Sequence, residues 1–471
     1  MDASELLLLL NIVVYAHYAP YTKVEESFNL QACFDFLNHG IGNGLKFWDH
    51  RIFPGVVPRS FLGSIIVSAL AYVPISVVSF FRSPTGLAQQ LAVRIILGGI
   101  NAAALISLKR TITKVHGSVA GNFFIALQGT QFHSCLVQSE PYKAIILLTV
   151  ATVIFRGEIL TLLGTTVLWH FIQTHRVTFW KTARLGLLTG LSSAVISGTI
   201  DSYLWQYPVL PELSGFIFNV MHGKSSNWGT SPWYQYAFDI LKLLLNPVAL
   251  PLIGYGAYSH RKALDILIPA LAFCTIYSLQ PHKEWRFIVY VVPGLTFIAS
   301  LGSAHLFTRR AKHVLYRLST IVVLASIPCT ALLSHGMGLI SAMNYPGGEM
   351  MQKVTALPGH GPIYLDVTTC MTGSSKFLRG DEGAYDRTED ESVLATVEFW
   401  DKLRYASVSH PAVIKSLDER WRVVDRVWGY DGVDVRGLRI SKAIKLYLME
   451  NLRPTPATFD ARQKQSIDSV L

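Results

Sequence analysis

Between two apolar runs the chain reads Gln280-Pro281-His282-Lys283-Glu284-Trp285-Arg286-Phe287, with four ionisable side chains inside five positions. Ionisable groups at membrane depth are costly and are usually kept for function. Pro281 removes a backbone donor and ends the preceding span. The next span then starts near His282, so its unpaired amides and positive dipole end lie beside Lys283 and Arg286, an arrangement suited to an anionic phosphate. The plainer alternative is a charged interfacial cap that anchors two helices.

A second cluster is Pro20-Tyr21-Thr22-Lys23-Val24-Glu25-Glu26-Ser27-Phe28-Asn29. Adjacent carboxylates just outside a membrane helix can supply a general base. Thr22 with Glu25 also resembles a capping box that opens an amphipathic helix. On such a helix Glu25 and Asn29 share a face, and Glu26 turns toward Leu30 and Cys33. Third is Trp48-Asp49-His50-Arg51 with Phe53-Pro54-Gly55-Val56-Val57-Pro58-Arg59. Its two prolines predict a stiff strap that presents Asp49, His50 and Arg59 at the membrane surface. Fourth is Asp201-Ser202-Tyr203-Leu204-Trp205 followed by Lys224-Ser225-Ser226-Asn227-Trp228-Gly229-Thr230-Ser231-Pro232. Aromatic rings alternating with hydrogen-bonding groups suit sugars, and Tyr and Trp equally serve as interfacial anchors. Arg156 with Glu158 reads first as a structural charge pair.

The elements that must position these residues are mostly apolar. Half of the 471 residues are hydrophobic and 15% are charged, against about a quarter charged in soluble domains. Span candidates run over 3–18, 61–81, 91–108, 119–137, 142–156, 158–172, 185–200, 236–257, 264–280, 286–306 and 314–340. Several fall near or below the length of about 20 residues that a crossing helix needs, so the expectation is ten to twelve. The run Leu6 to Tyr15 lacks a basic flank and a cleavage site and reads as part of a retained first span. The net charge of +10 sits in clusters at span ends, without an aromatic-interleaved stripe, which argues against nucleic acid. The clusters His175/Arg176/Lys181/Arg184, His260/Arg261/Lys262 and Arg309/Arg310/Lys312/His313 fall on one side, read as cytosolic. Loops 19–60 and 201–235 and the tail 341–471 then face the opposite side. The early cluster Lys109/Arg110/Lys114 breaks this count, so either it lies opposite or one early stretch does not cross. In the tail, Gly361–Val367 and Trp421–Val427 read as strands of a small mixed α/β domain, with a loosely ordered tail as the alternative. Neither disulfide nor zinc spacing occurs among the five cysteines.

Taken together, these segments resemble the glycosyltransferase family 22 mannosyltransferases of the multi-spanning GT-C class. His282-Lys283-Glu284-Trp285-Arg286-Phe287 matches that family's signature. The α-1,6 branch is the nearest, on residues 20–29, 53–59, 201–203, 225–232 and Asn344-Tyr345-Pro346-Gly347-Gly348. One departure follows Gln131-Phe132-His133. Members carry a Thr/Ser-Arg-Thr-Leu-Pro-Asn stretch there, whereas this chain reaches Ile154-Phe155-Arg156-Gly157-Glu158 within a few turns. About one span fewer is expected.

The resemblance implies an all-α polytopic domain over 1–340 and a lumenal mixed domain over 341–471. The implied home is the endoplasmic reticulum membrane, with the active site toward the lumen. The implied reaction moves mannose from dolichyl-phosphate-mannose to a dolichyl-diphosphate-linked seven-mannose oligosaccharide, in α-1,6 linkage and with inversion. Glu25 and Glu26 occupy the family's acidic motif and take the base role, Glu25 being preferred for its polar neighbour Asn29. His282, Lys283 and Arg286, with Arg59, would hold the leaving phosphate, positive charge there standing in for a metal. Asp201, Asn227, Trp228 and Asp49 would line the acceptor's path. No DxD motif occurs, and neither a metal nor another cofactor is expected. Siblings that form α-1,2 linkages or act on glycosylphosphatidylinositol precursors, and more remotely a transporter or an inactive variant, are the competing readings.

Overall fold

The computed structural model describes residues 1–52, 54–81, 83–127, 141–173, 175, 177–223, 229–357, 362–379, 385–415, 420–434, 437 and 439–452. Those residues are mostly helical and fall into two compact units. The first comprises 1–17, 35–80 and 92–337, and the second 18–34, 81–91 and 338–471.

In the first unit apolar side chains point outward as well as inward, the opposite of a soluble core. Leu187, Leu191 and Val195 are all exposed along helix Phe179–Trp205. A contiguous apolar exterior of this kind belongs in lipid. Among the described residues five helices are long and apolar enough to cross: Leu62–Phe81, Gly86–His116, Phe179–Trp205, Trp285–Thr308 and Val314–Ala342. The bent pair Gln235–Leu244 and Ala249–Ser259 makes a sixth if counted as one broken span. Four further apolar helices, Ala3–Tyr18, Ser118–Leu127, Tyr142–Ile154 and Ile159–Ile172, are shorter than that, so the helices long enough to cross are fewer than the expected ten to twelve. The chain is a multi-pass membrane protein.

One helix forms the centre of this unit. Of its most apolar window, Trp285–Thr308 buries 78%, against 11% for Phe179–Trp205. Its close neighbour is Ala249–Ser259, and glycine allows the approach. A Cβ on Gly256 would collide with the Ile298 carbonyl, and one on Gly302 with the Leu252 carbonyl. Small residues at such a crossing let backbones meet where no hydrophobic force drives helices together in lipid. The ionisable turn 282–286 therefore leads directly into the most enclosed of these five helices.

The early basic cluster also finds its place. Lys109 and Arg110 pair with Asp2 and Glu5 at the start of the first helix, Arg110 Nη2 lying 2.9 Å from Glu5 Oε2. At the end of the helix that carries Lys109 and Arg110, Gly86–His116, His116 packs edge-on to His260, ring centroids 6.1 Å apart. His260 in turn meets His305, four residues before Arg309. The early cluster thus shares one end of the unit with the second and third basic clusters. The departure after Gln131-Phe132-His133 lies outside the described residues.

The second unit contains a five-stranded mixed sheet ordered β2-β1-β3-β5-β4, with β1 Ile363–Leu365, β2 Tyr385–Asp386, β3 Tyr405–Val408, β4 Trp421–Asp434 and β5 Arg439–Asn451. β1 runs parallel to β2 and β3, and the β4–β5 hairpin joins antiparallel through β3–β5. Both expected strands are present. Met350, Met351, Leu365, Val427, Leu446 and Leu448 close its core. The Asn344–Gly348 motif is explained by packing. Pro346 opens helix Pro346–Thr355, and Gly347 donates its amide to Thr372 Oγ1 at 2.9 Å. A Cβ on Gly348 would drive into the Tyr21 ring. Gly348→Ala is therefore expected to destabilise this unit by about 1–3 kcal/mol, the usual penalty for overpacking. An unchanged melting midpoint of the purified protein in detergent would show that Tyr21 does not fill that space.

Candidate active site

The signature turn is built on backbone carbonyls. Helix Leu264–Tyr277 ends before it, and the next helical residue is Trp285, three positions later than the sequence suggests. The intervening chain is extended at Glu284 (φ −131°, ψ 142°). Ser231 donates its amide to the Pro281 carbonyl at 3.0 Å. Lys283 is buried and donates to the carbonyls of Ser231 (3.1 Å) and Gln280. Burial pushes its ammonium pKa down. His282 lies against the Gly229 carbonyl (3.0 Å) and Glu284 Oε1 (3.2 Å). Arg286 Nε donates to Glu284 Oε2 at 2.6 Å. Glu284 thus sits between two basic side chains, and Lys283 ties the turn to the segment 229–231.

The strap before Phe61 is pinned to the end of helix Phe179–Trp205. Asp201 is fully buried; it accepts the Phe61 amide at 2.8 Å and the Ser197 hydroxyl at 2.6 Å. Trp205 Nε1 donates to the Arg59 carbonyl at 3.0 Å. His50, also buried, meets the Leu204 carbonyl at 3.0 Å and packs edge-on to Trp48, Phe61 and Trp205. Asp201, expected to line a glycan path, has one carboxylate oxygen on the Phe61 amide and the other on the Ser197 hydroxyl. Asp49 is half-buried, and its amide donates to Asp35 Oδ2 at 2.8 Å. Asn227 and Trp228 lie outside the described residues.

A third piece escaped the sequence reading. Glu212, in the short helix Pro211–Phe216, accepts the Gly157 amide at 2.6 Å. Burial pushes its pKa up to about 7, and Glu158 adds to the rise, while the Gly157 amide, Arg156 and Arg59 pull the other way. Arg156 lies 3.7 Å from Glu158 and also hydrogen-bonds Tyr290. Arg59 keeps solvent access at the side chain. Crowding by protein atoms, and then the neighbouring Arg156 and Arg286, hold its guanidinium below the usual value. The strap, the 155–158 turn, the Glu212 helix and the signature turn therefore converge three arginines, Arg59, Arg156 and Arg286, and three glutamates, Glu158, Glu212 and Glu284. Guanidinium forks are the side chains best matched to phosphate oxygens. One signal for Glu212 was available: it is the sole glutamate between residues 158 and 284.

The acid pair belongs to the second unit. Helix Val24–Asn38 carries it, with Thr22 buried just before and Glu26 exposed. The Glu25 side chain lies outside the description. Gln31 on that helix accepts the Lys376 amide at 2.8 Å, and Gln90 Nε2 donates to the Pro20 carbonyl at 2.7 Å. The segment that presents the acids is thus fastened on both sides. Among the described residues, no three His, Cys, Asp or Glu side chains gather as a metal site.

The family model described as the Alg9-like mannosyltransferase family matches residues 137–362. A Schizosaccharomyces pombe protein named as a probable Dol-P-Man:Man(7)GlcNAc(2)-PP-Dol alpha-1,6-mannosyltransferase is 30% identical over 90% of this chain and 80% of its own length. An Arabidopsis thaliana protein named for the same activity is 32% identical over 78% of each chain. Glycosylphosphatidylinositol mannosyltransferases align with less than half of the chain. Among solved structures, ArnT from Cupriavidus metallidurans bound to undecaprenyl phosphate superposes with a TM-score of 0.55 at 12% identity, over 96% of this chain and 98% of that one. The two share a fold.

Asp201→Ala is expected to leave the Phe61 amide unpaired and to cost about 1–3 kcal/mol of stability. A variant of wild-type thermal stability that loses only acceptor affinity would return Asp201 to the substrate path.

Proposed function

Because the chain belongs to the Alg9-like mannosyltransferase family, we propose that it transfers mannose from dolichyl-phosphate-mannose to a seven-mannose dolichyl-diphosphate oligosaccharide in α-1,6 linkage. The observation that carries this is identity of about 30% along nine tenths of the chain with an enzyme named for that reaction. Partial alignment with the glycosylphosphatidylinositol enzymes disfavours that branch. The reaction takes place at the lumenal face of the endoplasmic reticulum membrane. The shorter apolar helices complete the ten to twelve spans within the bilayer.

The chemistry is a single inverting displacement. A carboxylate of the Glu25/Glu26 pair removes the acceptor hydroxyl's proton, the new C1–O bond forms, and the bond to phosphate breaks. Arg59 and Arg286 receive the charge that develops on the leaving phosphate. Lys283 supports them indirectly: with its ammonium donated to the Ser231 and Gln280 carbonyls, it shapes the turn that carries Arg286. His282 likewise steadies Glu284. The fold neighbour bound to undecaprenyl phosphate supports a polyprenyl-phosphate donor. Positive side chains do the work a metal would do elsewhere, so no metal is required.

Purified protein given both lipid substrates should add one hexose, with linkage analysis reporting α-1,6; an α-1,2 product would move the chain to a sibling branch. Activity should persist in excess chelator, and its loss with recovery on a divalent cation would overturn the metal-free mechanism. Glu25→Gln combined with Glu26→Gln should lower kcat by at least about a hundredfold at normal protein level. Near-wild-type turnover would remove the pair from catalysis.

A further inference from the structure

Beside the acid pair runs a shallow cleft of polar side chains that the displacement leaves unused. It lies wholly within the second unit, between the start of helix Val24–Asn38 and the loop 370–376. Thr22, Ser27 and Gln31 line it from the acid-bearing side, and Cys370, Ser374 and Ser375 from the other. Val24 and Ser27, both on its wall, bracket Glu25 and Glu26 within one turn of helix. The cleft spans about 180 Å3, part of it open solvent, and encloses no separate space the size of a water. It therefore suits the edge of a molecule laid against it.

Its polar groups divide into those the fold uses and those it does not. Ser375 is used: its hydroxyl donates to Gln90 Oε1 at 2.5 Å, and Gln90 Nε2 holds the Pro20 carbonyl at 2.7 Å. Gln31 is only half used. It is 6% exposed, and its Oε1 accepts the Lys376 amide at 2.8 Å, which fixes the orientation of the side-chain amide. Its Nε2 is left toward the cleft with no hydrogen-bond partner among the described residues. Thr22 is 7% exposed, and its hydroxyl also has no partner there, so the capping role that its spacing to Glu25 suggests is not taken up. The half-buried Ser27 and Ser374 add two further uncommitted hydroxyls. Buried polar groups left unpaired are costly, and folds keep them where a ligand or water supplies the missing bond.

The chemistry of the missing partner follows from these groups. They are one amide donor and three hydroxyls, all uncharged, and among the described lining residues only the exposed Lys23 carries charge. Closely spaced hydroxyls and an amide complement the neighbouring hydroxyls along the edge of a pyranose ring. We propose that this cleft is an acceptor subsite: it takes the hydroxylated edge of a hexose of the acceptor oligosaccharide and so brings the reacting hydroxyl to Glu25 and Glu26. This rests on the mannosyl-transfer reading and on the acid pair as base. Holding the sugar at several points within one turn of the base supplies the orientation that a single displacement needs. The loop is itself well anchored, since Thr372 accepts the Gly347 amide through Oγ1 at 2.9 Å and the Gly348 amide through its carbonyl at 3.0 Å.

The donor's own mannose offers the same hexose chemistry, and steady-state kinetics of the full chain in lipid nanodiscs separates the two sources. Thr22→Val keeps the side chain's shape and removes a hydroxyl that the fold does not use. Gln31→Glu keeps the oxygen that holds the Lys376 amide and removes the donor. Each should raise KM for the seven-mannose lipid-linked acceptor about three- to tenfold, the effect of one neutral hydrogen bond. KM for dolichyl-phosphate-mannose, kcat and the melting midpoint of Thr22→Val should stay at wild-type values. In the wild type, acceptor should slow amide hydrogen exchange across 370–376 and donor alone should not, a readout that needs no variant. An unchanged acceptor KM in both variants, or no protection by acceptor, overturns the subsite. A rise confined to the donor KM gives the cleft to the donor's mannose instead, and a fall in kcat with a lowered midpoint makes these side chains structural; either result also overturns it. Wild type that adds no hexose to this acceptor overturns the transfer reading itself, whereas normal wild-type turnover with unaltered variants removes the subsite alone.

Discussion

Three guanidiniums cannot be held close together at the edge of a membrane without carboxylates among them. Mutual repulsion and lost hydration both oppose the arrangement, and each grows as the surroundings become less polar. Glu284 beside Arg286, Glu158 beside Arg156 and Glu212 on the Gly157 amide, within electrostatic reach of Arg156 and Arg59, answer that constraint. Much of the first unit's polar architecture serves it. Asp201 and Trp205 secure the strap that carries Arg59. Lys283 secures the turn that carries Arg286. Trp285–Thr308, the helix buried most deeply, follows directly from that turn.

What the sequence displayed and what it hid divide along a physical line. Apolar runs and basic flanks depend on local composition, so membrane character and the shared side of the later basic clusters could be read directly. The two anticipated strands were visible because β1 is a short apolar run and β4 opens on a segment rich in aromatic and β-branched residues, Trp421, Val423, Val424 and Val427. β5 went unread, although it pairs along its whole length with β4. Span number was harder to read. Several apolar runs fold as helices of 10–17 residues, and one breaks by 90° between Leu244 and Ala249; hydropathy does not register a bend.

The candidate site shows the same division. Ionisable residues crowded into one turn announced themselves at 282–286, and so did the acid pair at 25–26. Their working partners did not, because those contacts bridge 52 or more positions: Lys283 to Ser231, Gly157 to Glu212, Phe61 to Asp201. Spacing could place Asp201 near aromatic residues, but only packing shows that its oxygens accept from the Phe61 amide and the Ser197 hydroxyl. Likewise Arg156 and Glu158 read as an isolated structural pair until Glu212 and Arg59 are seen beside them.

The most direct measurement is the position of the phosphate itself. An experimental density map of the protein with dolichyl phosphate bound should place the phosphorus within hydrogen-bonding reach of the Arg59 and Arg286 guanidiniums. A well-ordered phosphate on other side chains, with Arg286 still paired to Glu284, would contradict the central claim.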